Sequence, residues 1–254
     1  MSAAGRLCGE HRRMMEECLG YIGFIPARAG SERVKNKNTR PFAGFEGGLL
    51  ELKLRQLIKV EMLEEIIVSS NDPIVLDYAH RFALNTDTRV KPLERPDEYG
   101  VSSTSMERFI VDYIANLRIT GTIMWTHVTH PFVTGTLYRE AIAAYEEAAA
   151  EGYDSLVSAT KLQKFLWRDG KPFNYDNSTE KWPRSQDLTP VWEINHAIYI
   201  MPFDVMRATA DRISSKSFFF SMEESASMDI DWEDQYHLMN EIAQARTARG
   251  LSLL

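Results

Sequence analysis

Residues 21–40 read Tyr21-Ile-Gly-Phe-Ile-Pro-Ala-Arg-Ala-Gly-Ser-Glu-Arg-Val-Lys-Asn-Lys-Asn-Thr-Arg40, an apolar run that stops abruptly in a loop dense with cations. The run over 21–25 predicts a buried strand, and Arg28, Arg33, Lys35, Lys37 and Arg40 predict a flexible basic loop leaving its carboxyl end. In open α/β sheets that edge is where ligands bind. Backbone N–H groups, hydroxyls and several cations in one loop suit a polyanion such as a triphosphate, although an ordinary solvated basic turn has the same composition.

Outward from this stretch, apolar runs alternate with helical patterns. Further strands are expected over 65–69, 122–127, 154–159 and 197–201. Leu50, Leu54, Leu57, Ile58 and Met62 follow a helical period, and Asn71-Asp72-Pro73 is a helix start with a capping side chain and proline in the first turn. Three more helices are expected: one through Phe109, Tyr113 and Leu117, one over about 136–150 with Gly152 as its cap, and one over about 233–248. The alternation predicts an α/β fold, a doubly wound, mostly parallel sheet flanked by helices. Residues 163–194 break the rhythm. Rich in Trp, Pro, Lys and Asp, they predict an irregular arm or lid, or a dimer contact. The expected organisation is an N-terminal extension over 1–20, helical over 11–19, and a single domain over 21–254.

A chain of 254 residues, 44% apolar, is long enough for one large α/β domain. Its net charge of −7 argues against nucleic acid as a partner, so the basic loop is a local feature. Cys8 and Cys18 offer neither a disulfide framework nor a CxxC metal site, which fits a reducing, cytoplasmic location. No apolar stretch approaches 18 residues and the first twenty lack a long apolar core, so neither a membrane span nor a secretory signal is expected.

Asp229-Ile230-Asp231 is the metal candidate. In an extended segment residues two apart point the same way, so two carboxylates converge on one hard cation such as Mg²⁺. A solvated acidic turn before the last helix is the plainer alternative. The hydroxyls of residues 102–105 fall in a loop before the third helix, where Ser103 or Thr104 can serve as its cap.

Ala27-Arg28-Ala29-Gly30-Ser31, followed by Lys35-Asn36-Lys37-Asn38, resembles the signature loop of the sugar-acid cytidylyltransferases, the CMP-sialic acid synthetases and their relatives acting on other nonulosonic acids and on Kdo. The likeness runs from about Tyr21 to about Ile242. It continues through Arg95-Pro96, Thr129-His130-Pro131, Asp154-Ser155-Leu156-Val157-Ser158, Ser185-Gln186-Asp187-Leu188, Asn195-His196-Ala197-Ile198-Tyr199-Ile200 and Asp229-Ile230-Asp231. Each landmark is weak alone; their order and spacing together are specific.

The resemblance implies that CTP and a sugar acid give a CMP-sugar and pyrophosphate. It implies that Arg28 and Lys37 act on the phosphates as the catalytic cations, with Ser31 and Asn38 lending hydrogen bonds. Arg95, Ser105 and His127 would sit near the nucleotide, Lys164, Gln186, Asn195 and His196 near the sugar acid, and Asp229 and Asp231 on Mg²⁺. It also implies a homodimer paired through the arm. The chain departs from the pattern at several places. Glu32 replaces a common lysine, His127 a glutamine, His130 a serine and His196 a glycine, and Arg184-Ser185-Gln186-Asp187-Leu188 has its arginine one place early. The phosphate and metal elements are kept, which suggests retained chemistry with an altered acceptor. Histidines here can donate to a carboxylate or hydroxyl, or merely fill space. A nucleotide-sugar glycosyltransferase would share Asp-x-Asp but not the Arg28–Lys37 loop; a catalytically silent relative is the remaining alternative.

Overall fold

The computed structural model describes residues 20–101 and 103–254. The expected helix over 11–19, Cys8, Cys18 and Ser102 lie outside the described residues. The strand expected at the start is β1 (Tyr21–Pro26), with four of its six residues buried. It is followed by α1 (Gly48–Leu57), β2 (Leu63–Ser70), α2 (Pro73–Asn85), β3 (Val90–Glu94), a helical segment α3 (106–116), β4 (Thr122–Thr126), α4 (Gly135–Ala150) and β5 (Ser155–Leu162). After a two-residue hairpin, β6 (Trp167–Arg168) and β7 (Lys171–Pro172), come β8 (Val191–Pro202), α5 (Phe203–Thr209), β9 (Ser217–Met222) and α6 (Glu233–Ala248).

Seven strands form one sheet in the order β3-β2-β1-β4-β8-β5-β9. All run parallel except β8, which is antiparallel to both of its neighbours. Successive residues alternate between the two faces, as the pleat requires. Ile22, Phe24, Ile123, Trp125, Tyr199 and Met201 join Phe109, Tyr113 and Phe203 from α3 and α5 in one core. Ile25, Met124, Ile198 and Ile200 join Leu54, Phe82, Tyr138 and Met239 from α1, α2, α4 and α6 in the other. Helices therefore cover both faces, and the strand ends of β1 and β4 open onto one edge.

Several boundaries differ from expectation, each for a physical reason. The two edge strands, β3 and β9, were not expected. β3 contains Pro92, tolerated because an edge strand has a side that needs no ladder donor, and β9 is only half buried. β8 begins at Val191 rather than 197, because its polar first half pairs with β5 outside the apolar sheet. The arm accordingly spans 163–190. α1 ends at Leu57, leaving Met62 in a turn. The α2 start is as read: Asp72 caps it by accepting from the Ile74 N–H at 2.9 Å, with Pro73 next. The α3 segment is irregular, one α turn followed by a π-helical stretch over Phe109–Tyr113 and a 3₁₀ turn. Its cap is Ser105, not Ser103 or Thr104.

Gly48 closes the basic loop onto α1. Its φ is +64°, and a Cβ there would lie 2.2 Å from the Arg40 carbonyl oxygen. That carbonyl also accepts from the Tyr236 hydroxyl of α6 at 3.0 Å, so the backbone cannot step aside. Gly48→Ala is expected to destabilise the fold by roughly 2–4 kcal/mol, a drop in Tm of roughly 5–15 °C. A calorimetric Tm within a degree of wild type would show that the junction relaxes freely.

Candidate functional site

The basic loop is braced rather than loose, which corrects the expectation of a flexible segment. Ala27 N–H continues the strand pairing to the Ser69 carbonyl, and Ala29 N–H donates to Asn71 Oδ1, both at 2.9 Å. The Asn38 amide donates back to the Arg28 carbonyl at 3.2 Å. Asn36, at φ +53°, receives the Thr39 and Arg40 N–H groups on its carbonyl. These bonds hold the loop over the carboxyl ends of β1 and β4.

A cleft of three joined compartments runs along this edge. The central one, about 560 Å³, has Arg28, Ser31, Lys37, Asn38 and Arg212 on its wall together with Asp229 and Asp231. A smaller pocket of about 210 Å³ shares Arg28, Met106 and His127 with it and adds Arg95, Tyr99, Thr104 and Phe109. A third, about 670 Å³, shares His196, Asp229 and Asp231 and adds Glu193, Asn195 and Glu224.

The Asp-Ile-Asp segment is held by its middle residue. Ile230 is fully buried, its N–H donates to the Thr129 carbonyl at 3.0 Å, and its own carbonyl accepts from Lys37 Nζ at 2.8 Å. The flanking carboxylates are thereby directed into the cleft. Asp231 pairs with Arg33 at 2.9 Å and lies 3.8 Å from Lys37 Nζ. Burial pulls the Lys37 ammonium below its ordinary pKa, and the two aspartates partly restore it. Asp229 Oδ1 is buried and has no hydrogen-bond partner. An orphaned carboxylate oxygen facing a cationic loop fits a hard divalent cation. Among the described residues no three acidic, His or Cys side chains converge to hold a metal unaided. A cation would therefore draw remaining ligands from a bound phosphate, as Mg²⁺ commonly does.

Three histidines surround the cleft. His127 Nε2 faces the Trp125 indole N–H at 3.2 Å and Arg212 Nη1 at 3.4 Å. Both are donors, so Nε2 accepts and the proton of the neutral ring sits on Nδ1. Burial, then the Arg212 charge, pushes its pKa well below the ordinary value. His130 is fully buried, with Nε2 2.8 Å from the Asn195 carbonyl and Nδ1 without a partner. His196 occupies φ +60°, a left-handed position that favours glycine and that His adopts more readily than most residues. It bonds the Tyr199 hydroxyl.

The remaining expected residues divide into those near the cleft and those away from it. The Arg95 guanidinium stacks 4.5 Å over Phe109 and gives its protons to the Ser69 and Tyr99 carbonyls; burial lowers its pKa to about 10. The Asn195 amide is committed within the fold, accepting from Ser158 Oγ and the Ala197 N–H and donating to Thr160 Oγ1. The Ser105 hydroxyl caps α3 by accepting from the Arg108 N–H. Lys164 pairs with Glu224 at 2.6 Å on the exposed base of the arm, and Gln186 sits in an exposed 3₁₀ turn. The structure brings neither into the three compartments. Sequence reasoning missed Arg212 altogether. It lies in the loop between α5 and β9 with no motif around it, stacked 4.4 Å over Tyr199 with its Nε buried and unpartnered. It also missed Lys53, a fully buried lysine of α1 that donates to the His130 carbonyl at 2.9 Å and to the Tyr138 hydroxyl at 2.7 Å.

A family model described as Cytidylyltransferase matches residues 22–246. The pseudaminic acid cytidylyltransferase of Campylobacter jejuni strain 81-176 is 24% identical over 182 residues, covering 69% of this chain and 75% of that protein. The CMP-N,N'-diacetyllegionaminic acid synthase of Legionella pneumophila is 25% identical over 234 residues, 83% of this chain and 92% of that protein. Among solved structures, a CMP:2-keto-3-deoxy-manno-octonic acid synthetase complexed with CTP superposes with a TM-score of 0.60 at 14% identity, covering 92% of this chain and all of that one, and supports the fold.

Burial lowers the His130 pKa from 6.5 to about 4, against the opposing pull of Asp229. Within that window the unfolded chain binds a proton that the folded chain refuses, so stability is full above pH 6.5 and falls as pH drops toward 4. Urea midpoints measured from pH 7.5 down to 4.5 are expected to fall more steeply for wild type than for His130→Gln. Parallel curves would remove His130 from the pH response.

Proposed function

The chain belongs to the cytidylyltransferase family, and from that premise we propose that it activates a nonulosonic, sialic-acid-like sugar acid, or a Kdo-like one, converting CTP and the sugar acid to a CMP-sugar and pyrophosphate. The anomeric hydroxyl gives up its proton to solvent as its oxygen forms a bond to the α-phosphorus. The bond from the α-phosphorus to the bridging oxygen breaks, and pyrophosphate carries the electron pair away. The observation that carries this reading is the facing of Arg28, Lys37 and Arg212 with the unpartnered Asp229 carboxylate inside one cleft.

The compartments suit the three parts of the reaction. The small pocket, lined by Phe109, Tyr99 and His127, suits a pyrimidine ring that offers acceptors. Arg28 and Lys37 supply a planar fork and a point charge for the phosphates, with Ser31 and Asn38 beside them. His196 stands where the phosphate and third compartments meet, the place of the acceptor. Mg²⁺ held by Asp229 and Asp231 would neutralise charge growing on the leaving pyrophosphate. Lys37 anchors the backbone between those aspartates, so cradle and carboxylates move as one unit. Use of CTP accords with a cytoplasmic location, and no helix among the described residues is long and apolar enough to cross a membrane.

Pyrophosphate release from CTP with a panel of sialic, legionaminic, pseudaminic and Kdo-type acids is the direct test, with UTP, ATP and GTP as controls. Release is expected with CTP and at least one acid, and to stop on chelation. Arg28→Ala and Lys37→Ala are each expected to lower kcat/KM on the order of 10²-fold. No release with any pair would leave a catalytically silent relative as the better reading. Variants within a few-fold of wild type would remove the loop from the chemistry.

Homodimerisation through the arm is part of the same proposal. Phe165, Trp167, Phe173 and Trp182 are 38%, 52%, 46% and 62% exposed on residues 163–190, an apolar patch that water disfavours. Phe165 packs edge-on to Tyr175 and Trp182, so part of the patch is preformed. Light scattering at micromolar concentration is expected to give twice the chain mass, and Trp167→Glu with Trp182→Glu to return it to one. A monomeric wild type would refute the pairing.

A further inference from the structure

His130 Nδ1 and Asp229 Oδ1 face each other across 3.9 Å, and each is buried with no other partner. Two buried orphans in contact range are unusual, because an unmade hydrogen bond at either costs free energy. They do not satisfy each other. The separation is too long for a hydrogen bond. The tautomer also forbids one: the Asn195 carbonyl can only accept, so the ring proton lies on Nε2, and Nδ1 presents a lone pair to a carboxylate that is itself all acceptor.

Two lone pairs converging on one gap define a place for a positive charge. First-row divalent ions bond imidazole nitrogen and carboxylate oxygen at about 2.0–2.2 Å, so two such bonds in line would span roughly 4.2 Å. The 3.9 Å gap is short enough for one ion to reach both atoms. The surroundings of His130 match those of a ligating histidine. Such a ring donates its second nitrogen to a carbonyl or carboxylate, which fixes tautomer and orientation. Here the Asn195 carbonyl receives it at 2.8 Å, and buried Lys53 pins the His130 backbone at 2.9 Å. The imidazole has no rotational freedom with which to fill its orphan valence otherwise.

We propose that His130 Nδ1 is a direct ligand of the divalent cation, beside Asp229, and that this nitrogen biases the site toward Mn²⁺ over Mg²⁺. The inference rests on the cation reading of Asp229 given above and extends it to a residue of a different chemical class. Mg²⁺ demands hard oxygen ligands, whereas an imidazole nitrogen favours first-row transition ions, among which Mn²⁺ is the one that also suits carboxylate and phosphate oxygen. The ion would be seated on the His130–Asp229 pair and completed by Asp231 and phosphate oxygens.

The test is Mn²⁺ added to the full chain, alone and with CTP but no sugar acid, followed by electron paramagnetic resonance. Pulsed spectra of bound Mn²⁺ are expected to show ¹⁴N modulation from a coordinated imidazole. His130→Gln, whose amide can still donate to the Asn195 carbonyl, is expected to lose that modulation and to weaken Mn²⁺ binding about tenfold, the scale seen for losses around metal sites. Displacement of Mn²⁺ by Mg²⁺ should become correspondingly easier in that variant. Mn²⁺ bound to wild type without ¹⁴N modulation, or modulation that survives His130→Gln, would overturn the assignment and leave a water in the gap. The wild-type spectrum decides this even if the variant fails to fold. Loss of Mn²⁺ binding in Asp229→Asn, with no ¹⁴N signal in wild type, would sink His130 alone; no Mn²⁺ binding even with CTP would sink the carboxylate reading as well.

Discussion

The peptide of Ile230 is the point on which the cleft depends. Its N–H bonds the loop after β4, its carbonyl bonds Lys37 of the basic loop, and its side chain is fully buried. Burial of an isoleucine side chain is worth about 1.5–3 kcal/mol. The Arg33–Asp231 pair, with side chains 49% and 41% exposed, is worth about 0–1 kcal/mol. The anchor therefore sets the position of the two carboxylates, and the ion pair only accompanies it. An Ile between two aspartates is a means of burying the segment while leaving both acids on the open side.

A second device keeps the opposite wall in place. Lys53 of α1 donates to Tyr138 of α4, whose hydroxyl lies 2.6 Å from Thr126 Oγ1 at the end of β4, and Thr126 donates to the Ala197 carbonyl of β8. This chain of buried polar groups ties two helices to the two central strands next to the His130 loop and the His196 bend. Each member is satisfied by the next, the condition under which a buried polar network rigidifies a fold.

The antiparallel insertion of β8 explains why residues far apart in the chain meet. Ile198 pairs with Thr126, so Asn195 and His196 fall just beyond the end of β4. The pairing with β5 shifts register between Val157 and Ala159, and the Asn195 amide fills the irregularity with bonds to Ser158, Thr160 and Ala197. That bend places His196 in its left-handed conformation, facing the cleft instead of continuing the pleat.

The alternation of apolar runs and helical patterns was enough to determine an α/β layering, the strands β1 and β4, the Asp72 cap and the last helix. These follow from local periodicity, and buried central strands carry it strongly. Residue order also marked the basic loop and the paired aspartates, since clustered charge is visible in one dimension. The edge strands were not legible, because half-buried strands alternate weakly and Pro92 disguises one of them. Nor were the roles of Arg212, Lys53 and His130. Each is an isolated polar residue in the chain, and only the sheet order brings it beside its partners. Burial then decides its state: whether Lys53 finds a hydroxyl and a carbonyl, and whether His130 Nδ1 faces water or the bare oxygen of Asp229. Distances across non-adjacent strands decide such matters, and no local pattern in a sequence encodes them.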